Sequence, residues 1–69
     1  MSISDHKYVN FSEDYELNYH LEKVDKRQTE DNRNMLRTMG DELKAALNKI
    51  LLLHVEFHPY VSQQKHRLD

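Results

Sequence analysis

The sequence contains no cysteine, no tryptophan, one glycine and one proline. Without cysteine no disulfide can brace the fold, and no thiolate can hold zinc. Long apolar runs are missing as well. The longest, Ile50 to Leu53, falls far short of the roughly 20 residues that span a bilayer. The opening MSISDHK lacks the apolar stretch of a secretory signal. Neither sign of charge dominates, since a formal charge of −2 disfavours nucleic-acid or membrane binding driven by bulk charge. The expectation is a soluble cytoplasmic protein with no cofactor; lack of cysteine fits that compartment. A chain of 69 residues makes one domain, buries only about 60% of its unfolded surface and is marginal alone. Oligomerisation is the remaining common remedy.

What is present is a seven-residue apolar pattern. Leu36, Met39, Leu43, Ala46, Ile50, Leu53 and Phe57 fall alternately three and four apart, which places them on one stripe of a helix. The pattern predicts a long helix 2 over 29–58. Thr29 is its N-cap, with Glu30 and Asp31 in an acidic first turn. Pro59 ends it, because a residue before proline is pushed toward extended geometry. Residues 62–69 then form a polar tail, and residues 1–7 a frayed start.

Helix 1 is predicted over 12–25. Ser12 caps it, Glu13 and Asp14 suit the positive end of the dipole, and Leu17, Leu21 and Val24 recur at helical spacing. Tyr15 and Tyr19 form an i,i+4 pair. A β-hairpin is the rival, since Val9, Phe11, Tyr15, Leu17, Tyr19 and Leu21 also fit period two. Cap chemistry and the dominance of Glu, Leu, Lys and Asn favour helix. No apolar residue lies between Asp25 and Asn34, and the two stripes are out of phase. A break near Lys26–Gln28 therefore turns the chain into a helical hairpin; one long bent helix is the alternative.

The stripe on helix 2 is flanked by Leu47, Leu51 and Val55, an arc too wide for a plain coiled-coil seam. Helix 1 is expected to cover the flank, and its close approach would explain Gly40, a residue that costs a helix about 1 kcal/mol against alanine. The seam then faces a second copy. An antiparallel register centred near Lys44–Ala45 sets Leu43 against Ala46, Met39 against Ile50, and Glu42 beside the other copy's Lys49. The expected architecture is all-α: a helical hairpin that dimerises into an antiparallel four-helix bundle.

Chemistry is harder to find. His54 and His58 are i,i+4 and could share a metal ion, but the order is H-x-E-x-H and His58 precedes proline, so they are weak candidates. No nucleophile motif, phosphate loop or paired-carboxylate signature occurs, and a non-enzymatic protein is expected. Lys23, Lys26, Arg27, Arg33 and Arg37 could serve a small DNA-associated regulator, although Asp25, Glu30 and Asp31 interrupt them. Tyr8, Tyr15 and Tyr19 could contact another protein or complete a small core.

The stretch Asp5-His6-Lys7-Tyr8-Val9-Asn10-Phe11-Ser12-Glu13-Asp14-Tyr15-Glu16-Leu17-Asn18-Tyr19 resembles the opening of a family of small, uncharacterised bacterial proteins with the pattern D-x-x-x-[IV]-N-x-x-E-D-Y-E-[LV]-x-Y-W. Asp5, Val9, Asn10, Glu13, Asp14, Tyr15, Glu16, Leu17 and Tyr19 match. His20 replaces the family's tryptophan, and Val24 to Gln28 replace its G-V-S turn. The resemblance covers about a quarter of the chain. It implies a small bacterial helical domain and no catalytic or binding residue.

Overall fold

The computed structural model describes residues 8–69, and the frayed start expected over 1–7 lies outside them. Three α-helices follow in order: α1 (Asp14–Lys23), α2 (Glu30–Leu47) and α3 (His54–Gln63), with a 3₁₀ turn at Lys65–Arg67. Among the described residues the only β pairing is one bridge, Tyr8 to Leu53. The rival hairpin of strands does not form.

α1 begins one residue later than the Ser12 cap would place it. Asn10 takes over the turn instead: its side-chain oxygen accepts from the Ser12 amide at 3.0 Å, and its carbonyl accepts from Glu13 at 3.1 Å. Glu13 stands at the cap position with no side-chain cap bond. At α2 the expected cap holds, with the Thr29 hydroxyl accepting from the Asn32 amide at 3.2 Å. A cap of this kind stabilises a helix by about 1 kcal/mol.

The expected single helix over 29–58 is two helices. α2 stops at Leu47, where Asn48 adopts a left-handed backbone, φ 56° and ψ 50°. The Asn48 amide then donates to Ala45 at 3.3 Å and the Lys49 amide to Lys44 at 2.9 Å. These are the paired closing bonds that satisfy the last carbonyls of a helix, a position where asparagine is the usual substitute for glycine. α1 ends the same way. Asp25 has φ 61°, and Asp25 and Lys26 donate back to Glu22 and Leu21 at 3.1 and 2.9 Å. The phase break between the first two helices is therefore real, although no glycine marks it.

Pro59 does not end a helix; it lies inside α3. The bond it forfeits is the one to the Val55 carbonyl, and Val55 is 76% exposed, so water is at hand on that side. α3 starts at His54 because Glu56 reaches back to accept from the Leu53 amide at 3.0 Å and binds Lys49 at 2.7 Å.

Folding α3 back divides the seven-residue stripe. Leu36, Met39, Leu43 and Phe57 are buried within one chain, whereas Ala46 and Ile50 face solvent and Leu53 is half-buried. The core joins them to Val9, Leu17, Leu21, Val24, Leu52, Val61 and Leu68. Phe57 is the largest fully buried side chain. Phe11 meets it edge-on at 5.1 Å between ring centres. Phe11 also accounts for Gly40, where a Cβ would come within 2.5 Å of the Phe11 ring. The close approach expected from helix 1 is made by this side chain just before α1.

Nor is 62–69 a free polar tail. Its first residues finish α3, Leu68 is buried, and Arg67 grips Glu42 through two bonds of 2.8 and 2.9 Å. Asn32, also buried, holds the remainder: it accepts from the Asp69 amide at 2.9 Å and donates to the Arg27 carbonyl at 2.8 Å. One asparagine thus fixes the α1–α2 linker, the start of α2 and the C-terminal turn together.

Asn48→Gly separates a broken helix from a continuous one. Glycine relieves the left-handed backbone, so chemical denaturation is expected to show no loss of stability and a gain of up to about 1 kcal/mol. Inside a continuous helix the same change would cost about 1 kcal/mol.

Candidate functional site

Two helix faces meet where α3 crosses α1. α1 contributes Glu16, Tyr19, His20 and Lys23, spaced three and four apart; α3 contributes His54 and His58. A cleft between the helices is lined by Tyr19, His20, Lys23, His54, Val55, His58 and Pro59, and an adjoining one by Tyr15, Glu16, Tyr19 and His54.

His20 is completely buried. Its Nε2 lies 2.9 Å from His54 Nδ1, and the two rings lie edge to edge with centres 5.0 Å apart and planes 11° from parallel. His54 Nε2 in turn lies 3.3 Å from a Glu16 carboxylate oxygen, which also accepts from the Asn10 amide at 2.9 Å. His58 sits further out, its ring centre 6.2 Å from that of His20. Tyr19 and Phe57 meet His20 edge-on at 5.5 and 5.0 Å. Burial, followed by the nearby His54, His58 and Lys23, lowers the His20 pKa from 6.5 to about 4. His20 is therefore neutral at physiological pH.

Sequence spacing singled out His54 and His58 but left His20 without a partner. The signal was available: Glu16–His20 and His54–His58 are both i,i+4 pairs, and where the two helices meet, Glu16, His54 and His20 come into contact with His58 beside them. As the side chains stand, no three histidine, aspartate or glutamate groups among the described residues are placed to hold a metal ion. The contacts also end at His20 Nδ1, buried with no partner among the described residues, so none of those residues is in place to receive a proton passed along them.

The other sequence candidates are dispersed. Glu42 and Lys49, expected to pair between copies, are each engaged within the chain. Glu42 binds Arg67 and accepts from the Tyr60 hydroxyl at 2.9 Å, and Lys49 binds Glu56. Among the basic residues, Arg33 contacts Asn18, the Gln28 carbonyl and Asp14; Arg37 contacts the Phe11 carbonyl, Asn34 and Asp14. Lys23 bonds to the Tyr19 hydroxyl at 3.3 Å. Lys26 and Arg27 lie in the α1–α2 linker. This spends much of the proposed nucleic-acid patch on internal contacts. Tyr8, Tyr15 and Tyr19 are all exposed, the last two at 67% and 49%, so they do not complete a core.

Four exposed apolar side chains fall within nine consecutive residues at the α2–α3 corner: Ile50 and Val55 at 86% and 76%, and Leu47 and Leu51 at 44% and 51%. No helix among the described residues is long and apolar enough to cross a membrane. In comparison with known proteins, the chain matches no protein-family profile, no curated protein and no solved structure.

Hydrogen bonds from Arg67, and then from Tyr60, lower the Glu42 pKa from 4.5 to about 2. A depressed carboxylate stabilises the fold above its unfolded pKa and loses that contribution as pH falls through the folded one. Wild-type stability is thus expected to drop between pH 4.5 and 2, and Arg67→Gln to flatten that part of a denaturation-against-pH curve. An unchanged slope in Arg67→Gln would show that the clamp does not govern Glu42.

Proposed function

We propose that this protein works by protein–protein contact rather than by chemistry, and that it associates with a second copy of itself through the α2–α3 corner. The observation that carries this reading is the exposed cluster Leu47, Ile50, Leu51 and Val55. Large apolar side chains grouped together on a small surface mark an interaction site more often than scattered ones do. A second copy is the favoured occupant for two reasons. A short chain gains most from association. A two-fold axis through the corner also sets each cluster against its own counterpart, so one patch serves both sides of the interface.

This assembly differs from the bundle seam expected from the seven-residue pattern. Leu36, Met39, Leu43 and Phe57 are occupied inside the chain, so an interface built on them would require the core to open. Of that stripe, Ile50 belongs to the corner itself and Ala46 is exposed beside it. The exposed tyrosines of α1 offer a separate face for a different protein, since tyrosine is enriched at interfaces.

Sedimentation at rising concentration tests the reading. Wild type is expected to pass from monomer to dimer, and Ile50→Glu to remain monomeric. Ile50 is 86% exposed, so Ile50→Glu should change folding stability by less than about 0.5 kcal/mol. A wild-type protein that stays monomeric into the hundred-micromolar range, or an Ile50→Glu variant that dimerises equally well, would overturn it.

A further inference from the structure

The contact between α1 and α3 contains more titratable groups than a structural core requires, and their order along the chain of contacts matters. The Glu16 carboxylate only accepts hydrogen bonds. A nitrogen 3.3 Å from it is better placed carrying a proton than presenting a lone pair. This puts the proton of neutral His54 on Nε2 and leaves its Nδ1 bare. His54 Nδ1 must then accept, so His20 Nε2 donates across the 2.9 Å contact. His20 Nδ1, buried without a partner among the described residues, is left as a lone pair rather than an N–H, the less costly of the two to bury unpaired.

We propose that Glu16, His54 and His20 form an acid-released latch that holds α3 on α1. Neutral, the latch has one consistent set of donors and acceptors. A proton taken up by His20 can go only to its bare Nδ1, where it leaves a buried charge and a buried N–H with no acceptor among the described residues, and the closed contact cannot accommodate it. The surroundings do not relieve this. The titratable neighbours of His20 are Tyr19 and Lys23 on α1 and His54 and His58 on α3, and Lys23 and both histidines disfavour a charge on His20. Glu16 is the single carboxylate on the chain of contacts, and it touches His54. Acid therefore favours a state in which His20 leaves the contact and α3 loosens, exposing the Phe57 ring that His20 covers edge-on. The latch does not depend on what docks at the α2–α3 corner.

The sign follows from the direction of the His20 shift. A histidine kept neutral in the fold binds fewer protons folded than unfolded. Its contribution is complete above pH 6.5 and is lost as pH falls toward 4, a window that meets that of Glu42 only below pH 4.5. Hydrogen exchange of α3 amides, corrected for intrinsic rates, reads the opening. Between pH 7.5 and 5 wild-type protection is expected to fall by roughly 30-fold. Glu42→Gln should show the same fall, while His20→Gln, which keeps a donor but cannot titrate, should show less than about threefold. Nitrogen-15 spectra of the histidine rings test the latch in the wild-type protein, without relying on a variant that folds. At pH 7.5 both His20 and His54 should carry their proton on Nε2. A His20 protonated on Nδ1, a His20 that titrates near pH 6.5, or α3 protection that is unchanged at pH 5 would each overturn the proposal.

Discussion

The reversal at Asn48 obliges a residue with a side chain to hold a left-handed backbone, and the arrangement of the remaining chain follows from it. Two closing bonds satisfy the end of α2, and Glu56 anchors the start of α3 through the Leu53 amide and Lys49. Between these two fixed ends the chain turns, and Phe57 arrives against Phe11 and His20. Fully burying a phenylalanine contributes about 1.5–3 kcal/mol, which more than offsets the strain of one left-handed asparagine. A straight helix would have left that ring some 25 residues from the start of α2 with no neighbour in its own chain.

This explains which parts of the fold were legible in the sequence. The helical class, the position of α1, the Thr29 cap and the break between the first two helices were all readable from spacing and cap chemistry, which are local properties. Leu36, Met39 and Leu43 were correctly placed on a buried face, but the identity of what covers them was not. A seven-residue repeat is silent about whether its partner is another molecule or the chain's own continuation. Ala46 and Ile50 satisfied the spacing while sitting past or beside the point where the helix ends. The available stop signal was Asn48, the residue type next after glycine in tolerance for a left-handed backbone. Pro59 drew attention away from it. Proline inside a helix is costly, but here its missing bond falls at an exposed turn, and the helix continues.

The histidine contact was hidden for a different reason. Glu16, His20, His54 and His58 are each unremarkable in isolation, and only the reversal brings residues 34 positions apart within hydrogen-bond distance. The same reversal turns Leu47, Ile50, Leu51 and Val55 outward at the corner while it buries their neighbours. One backbone event thus creates both features proposed to matter: an apolar corner suited to another copy, and a neutral imidazole contact that requires its protons in a particular order. It also gives the C-terminal residues a place to dock, with Arg67 on Glu42 and Asn32 on Asp69.

The central claim, that α3 folds back instead of extending α2, is most directly tested by a distance. The chain has no native cysteine, so spin labels on Asp31→Cys and His66→Cys report on one pair alone. Both residues line the same cavity, and pulsed electron resonance should give a separation under about 20 Å. A continuous helix over 29–58 carries residue 58 about 40 Å from residue 31 at 1.5 Å per residue and takes the residues after it away from the start of α2, so a 31–66 separation above about 20 Å would contradict the account.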